Sequence, residues 1–179
     1  MLPNDTIQAF DDFLGARGLD LEAVVVGGSA LALLGVTDRQ TRDFDILHPD
    51  LPPEVTAAAR EFAAERRAMG TELAEDWLNN GPAQLVDVLP SGWQARLRPA
   101  FSGHCITLQT LGRGDLLKTK LFALCDRGTD LADCLALAPD PAELDEAMPW
   151  LRVQDLNELW PDHVEATLDD LRRRLGHGA

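Results

Sequence analysis

At 179 residues the chain has the length of one domain with room for a helical extension, and a second large catalytic domain does not fit. Hydrophobic residues at 45% allow a real core and exclude a disordered or collagen-like chain. Sixteen Lys+Arg against 30 Asp+Glu leave a formal charge of −14, which repels polyanions and argues against extended nucleic-acid binding.

Asn4 or Asp5 caps a first helix that carries Ile7, Phe10, Phe13 and Leu14 on one face and ends near Gly18. Leu21–Val26 is a β-branched run suited to a buried strand. It passes through Gly27-Gly28-Ser29 into the helix formers Ala30–Leu34, which stop at Gly35. Thr37–Arg42 reads as a polar loop, and Asp43–Leu47 alternates as a half-buried strand does. Pro53–Met69 is an amphipathic helix with Val55, Phe62 and Ala63 inward, closed by Gly70. Gln84–Leu89 is expected as a third strand and Cys105–Leu108 as another. From Arg113 the pattern turns helical, with segments near 114–125, 130–138, 141–151 and 161–175.

Residues 1–110 are thus expected as an α/β core and residues 111–179 as a helical region packing on it. The most apolar stretch, Ala23–Val36, is interrupted by glycines and falls short of the ~20 residues of a membrane helix, so no membrane partner is expected. The N-terminal MLPNDTIQAFDDF places acids where a signal peptide is basic, and Cys105, Cys125 and Cys134 show no CxxC spacing. Reduced thiols and a cytoplasmic location are expected. The four histidines lie far apart without metal-ligand spacing.

The chemistry concentrates in two pieces. In a strand, Asp43 and Asp45 share one face while Phe44 and Ile46 point to the core, and two carboxylates so placed are best tolerated with a divalent cation between them. Gly27 and Gly28 lack Cβ atoms, so a ligand can approach the backbone, and the N–H groups opening the next helix, with the Ser29 hydroxyl, suit phosphate oxygens. A turn needed only for packing remains the alternative for the glycines. For Arg39 and Arg42, orienting substrate phosphates and neutralising the two acids both stay open. Trp77, beside Asn79 and Asn80, reads as core, with a nucleotide-pocket wall as the alternative.

The order strand, GGS turn, helix and then Arg42-Asp43-Phe44-Asp45 resembles the hG[GS] and [DE]h[DE]h motifs of the nucleotidyltransferase fold of the DNA polymerase beta superfamily. The form GGSALALLG…RxTRDFDIL is most similar to the small bacterial branch that includes the AbiEii-type abortive-infection toxins. The resemblance implies a short mixed β-sheet flanked by helices with a helical C-terminal region, and a third carboxylate on a neighbouring strand, for which Asp87 has the matching apolar-flanked setting. It also implies a lysine and a downstream Asp in the helical part, here the piece that carries Lys120, Arg127, Asp130 and Asp133. Lys118 and Lys120 are the only lysines in the chain.

The activity implied is transfer of a nucleoside monophosphate from an NTP to a hydroxyl of a protein, a tRNA end or a small molecule. Asp43, Asp45 and Asp87 would hold Mg²⁺ or Mn²⁺, Gly27, Gly28, Ser29 and Arg42 would bind the nucleotide, and Lys120 would serve the leaving group or the acceptor. A toxin–antitoxin or abortive-infection setting, with a cognate partner, belongs to the same expectation. The rival is a catalytically inactive descendant of the fold acting as a binding or antitoxin-like protein.

Overall fold

The computed structural model describes residues 3–39, 41 and 43–177. The chain divides into two compact units, Met1–Asp87 with Gln94–Leu111, and Val88–Trp93 with Gly112–Ala179.

The first unit opens with α1 (Pro3–Gly15), where Ile7, Phe10 and Leu14 are wholly buried, as their three- and four-residue spacing requires. β1 (Leu21–Val26) runs directly into α2 (Gly27–Leu33), and β2 (Phe44–His48) into α3 (Pro53–Ala68), which Pro53 opens from its first turn. β3 (Leu78–Asn79), β4 (Arg98–Ser102) and β5 (Ile106–Thr110) complete one mixed sheet in the order β3-β2-β1-β5-β4. β1 lies antiparallel to β2 and parallel to β5. From Ala23 onward every residue of β1 is buried, the unbroken apolar pattern of a central strand covered on both faces. This is the mixed α/β architecture the sequence suggests.

Aromatic packing fixes α1 and α3 over the β2 end of the sheet. Trp77 is fully buried, with the rings of Phe10, Phe44 and Phe62 at 5.1, 5.6 and 5.7 Å, and its indole N–H donates to the Ala59 carbonyl at 3.0 Å. Its ring belongs to the core.

One residue on from Phe10 in α1, a carboxylate closes the β4–β5 hairpin. Asp11 is fully buried and accepts from the backbone N–H groups of His104, Cys105 and Ile106 at 2.8, 2.8 and 2.7 Å. Burial pushes its carboxyl up, but the three N–H donors outweigh that, and its pKa lies below the ordinary 3.8. Gly103 is required beside it, because a Cβ there would collide with the Asp11 carboxylate. Asp11→Ala strands these N–H groups and is expected to cost about 2–4 kcal/mol in a urea titration. A group with a lowered folded pKa stabilises above its unfolded value and loses that contribution as pH falls through the folded one. The gap between wild type and Asp11→Ala should therefore persist at neutral pH and narrow only below 3.8.

One expected strand is absent. Residues 84–89 do not extend the sheet; Ala83–Asp87 forms a 3₁₀ turn. Pro82 and Pro90 bracket the segment, which leaves too little uninterrupted backbone for a ladder. β3, only two residues long, takes the place beside β2 instead.

The second unit is helical, with α4 (Arg113–Arg127), α5 (Leu131–Leu137), α6 (Pro141–Leu151) and α7 (Trp160–Arg174). Arg113 and Glu143 pair through two hydrogen bonds of 2.6 and 3.0 Å, and Glu143 also completes a capping box with Asp140 at the start of α6. The three cysteines are free thiols, and burial raises Cys125 to about 11 and Cys134 to about 12, which keeps both protonated and unreactive. Among the described residues no helix is long and apolar enough to cross a membrane.

Candidate active site

The glycine turn and the acidic strand, two separate stretches of the sequence, touch in the structure. Val26, the last residue of β1, pairs with Asp45 of β2, so the chain leaves β1 into Gly27 directly beside that carboxylate. Gly27 has φ +72°, and an ideal Cβ on it would lie 2.6 Å from Asp45 Oδ2. Both facts demand glycine, the first because an L side chain is strained there and the second because the carboxylate occupies the space. Asp45 is half-buried on the face opposite Phe44 and Ile46. Asp43 is exposed and lies one residue before β2, not within it, so the expected strand began one position early.

Gly28 faces the loop. A Cβ on it would lie 3.4 Å from Thr41 Oγ1 and 3.5 Å from an Arg39 guanidinium nitrogen. The Arg39 N–H donates to Thr37 Oγ1 at 3.1 Å, and the Thr41 hydroxyl donates to the Asp43 carbonyl at 3.2 Å, so local hydrogen bonds shape this loop. Arg39 and Thr41 thus stand over the bare backbone of the turn, a role that no spacing in the sequence assigns to Thr41. Arg42, expected to bind nucleotide, lies outside the described residues. Ser29 is fully buried, and its hydroxyl donates to the Val26 carbonyl at 3.1 Å. That bond pins the strand-to-helix turn from beneath.

On the other flank, β2 and β3 run parallel with Asp45 opposite Asn79, so the polar position next to the Asp45 carboxylate is an amide. Asn79 Oδ1 accepts from the Gly81 N–H at 2.7 Å. Asn80 braces the far end of β2, donating to the Ile46 and Pro49 carbonyls and accepting from the Leu51 N–H at 2.7 Å. Asp87 is exposed on the 3₁₀ turn rather than on a strand. Among the described residues no three His, Cys, Asp or Glu side chains gather into a metal-binding group, so Asp87 does not join Asp43 and Asp45 in one cluster.

Lys120 belongs to the helical unit. It is buried, with its ammonium 2.7 Å from Asp133 Oδ2 and 3.5 Å from Asp130 Oδ1. Asp130 takes a left-handed backbone, φ +66°, at the start of α5, a strained conformation that Asp tolerates better than most residues. The cluster the sequence singled out therefore exists, with the cation compensated by the two acids that follow it.

No curated protein and no solved structure matches the chain. A family model, however, spans both the glycine turn and the acidic strand and reaches to the end of α5. By that match over residues 6–137, the chain belongs to the family described as "Nucleotidyltransferase of unknown function (DUF6036)".

Proposed function

We propose that the chain binds a nucleoside triphosphate with a divalent cation over the Gly27–Gly28 turn and transfers its nucleoside monophosphate to an acceptor hydroxyl. The observation that carries this reading is the contact of Asp45 with the bare backbone of Gly27. The donor set suits a hard cation: Mg²⁺ is commonly held by one or two carboxylates with substrate phosphates completing its shell, so Asp43 and Asp45 suffice without a third acid. A bound Mg²⁺ or Mn²⁺ would supply charge neutralisation on the polyphosphate and acidify the acceptor hydroxyl.

In the transfer, the acceptor oxygen bonds to the α-phosphorus, the bond from that phosphorus to the β-phosphate oxygen breaks, and pyrophosphate leaves with the electron pair. The acceptor proton passes to a carboxylate or to water. Gly28 lets the phosphates approach the turn, Arg39 and Thr41 border them, and Ser29 keeps the turn in shape. With Asp87 standing apart from Asp43 and Asp45 on the 3₁₀ turn, the transfer proceeds without it. For Lys120, compensation by two carboxylates favours a structural role in the helical unit over stabilising a leaving group.

The test is incubation with α-labelled NTPs and Mg²⁺ or Mn²⁺, followed by a search for label on the protein itself, on RNA, on lysate proteins and on small molecules. Asp43→Ala and Asp45→Ala should each lower labelling by at least about 100-fold, the scale of losing one preorganised charge at a transition state. A second reading, a binding protein that does not transfer, draws on the amide at Asn79 and on the absence of a three-acid cluster among the described residues. It requires nucleotide-dependent melting shifts without any labelled product. The resemblance to the AbiEii-type branch extends the proposal to a toxin–antitoxin pair in a reducing compartment, for which growth arrest on expression, relieved by the neighbouring gene product, is the check.

A further inference from the structure

The first unit carries an open cleft of about 890 Å³ beside the start of β2. That volume lies within the ~300–1,000 Å³ of small-molecule sites. Thr6, Thr41, Phe44, Arg67, Trp77 and the loop 70–74 line it. Thr41 is the link to the site above, since its hydroxyl also borders Gly28, and Asp43 lies in the chain between two cleft residues, Thr41 and Phe44.

The charges of the cleft narrow what fits. Arg67 donates one hydrogen bond, to the Leu73 carbonyl at 3.1 Å, and has no carboxylate within ion-pair distance among the described residues. Its neighbours on α3 are engaged: Arg60 approaches Glu75, and Arg66 stacks over Phe62. In a chain of charge −14, a guanidinium on a cleft wall with most of its five N–H donors unused is a ready anion grip. Glu72 on the same wall keeps the cleft from being strongly basic, which disfavours a polyanion. The aromatic floor offers no face for a base to stack on, because Trp77 is 0% and Phe44 2% exposed.

We propose that this cleft is the acceptor subsite and that it takes a small, hydroxyl-bearing anion, a carboxylate or phosphate monoester, with Arg67 gripping the anionic group. This rests on the reading of Asp43 and Asp45 as the metal–nucleotide site, and it names the class of molecule that site would modify. The hydroxyl of the ligand then lies on the Thr41 side, next to Asp43, and its charge on the Arg67 side.

The experiment is an NMR titration of the full chain with glycerol 3-phosphate and, separately, with glycerate, which share a skeleton and differ in the anion. Expected are shifts confined to Arg67, Thr41 and residues 70–74 with one of the two probes, weakened at least tenfold in Arg67→Met and unchanged in Arg98→Met. Arg98 is an exposed control on β4 that likewise has no ion-pair partner among the described residues. Mg-ATP binding should be the same in Arg67→Met as in the wild type. Shifts absent from residues 70–74 with both probes, or an equal loss in Arg98→Met, would overturn the proposal even if Mg-ATP binds. Localised, Arg67-dependent binding of a probe without any Mg-ATP binding would instead support the cleft as a site while removing the nucleotidyl-transfer reading.

Discussion

Lys120→Met is expected to destabilise the helical unit by about 3–5 kcal/mol, the cost of leaving buried carboxylates without their cation. The side chains of Lys120 and Asp133 are only 7% and 2% exposed, so water cannot take over when the ammonium goes. Methionine preserves most of the volume of the lysine stem, which isolates the charge effect from cavity formation. Trp150 and Trp160 lie in this unit, and their fluorescence in a urea titration reports its unfolding. The double variant Lys120→Met/Asp133→Asn should recover more than half of the loss, because the stranded charge is then removed as well. A single-variant loss below about 1 kcal/mol would mean that the pair behaves like a solvated surface pair.

The second large effect is a contrast between adjacent glycines. Gly27→Ala forces an L side chain into a left-handed backbone, worth about 1–2 kcal/mol, before its Cβ meets Asp45. With only 2.6 Å between that Cβ and Asp45 Oδ2, the carboxylate must swing away. Mg-ATP affinity should fall by about 100-fold, as expected when a positioned group is moved by an ångström. Gly28→Ala differs: its backbone is not left-handed, and its Cβ would make ordinary contacts at 3.4 and 3.5 Å. Melting temperature should barely move, while nucleotide binding weakens because the new methyl group stands where the ligand approaches. Equal loss of stability in both variants would show that the turn is merely tight everywhere, and calorimetry with thermal melts on the two proteins decides it.

The parts of this molecule legible in the sequence are those set by local chemistry. A buried strand is legible at Leu21–Val26 from its β-branched run, α1 from its spacing, and the turn from Gly27-Gly28. Lys120 and its downstream acids Asp130 and Asp133 are brought together by the family resemblance, with the scarcity of lysines as support. What depends on tertiary pairing was not legible. β3 is two residues long, too short to alternate, and β4 contains Pro99, which weakens a strand signal although an edge strand accepts it. Gln84–Leu89 shows the reverse case, a largely apolar run that reads as a strand yet lies for the most part in a 3₁₀ turn between prolines. The approach of Arg39 and Thr41 to Gly28 depends on how a loop folds back, and the register that sets Asn79 opposite Asp45 depends on which strand β2 finds. Neither leaves a trace in composition or spacing.

β1 obtains its two neighbours from very different distances along the chain. β2 is close in sequence, but the parallel partner, Ile106–Thr110, pairs with Leu21–Val25 across most of the unit's length. During synthesis the β5 side of β1 therefore stays bare until that distant segment has left the ribosome, and a strand of four consecutive buried apolar residues with an open edge invites pairing with a second nascent chain. Translation arrested before residue 106 should yield aggregates rather than a folded fragment, and slow collapse is built into this topology because so much chain must close before the ladder rewards it.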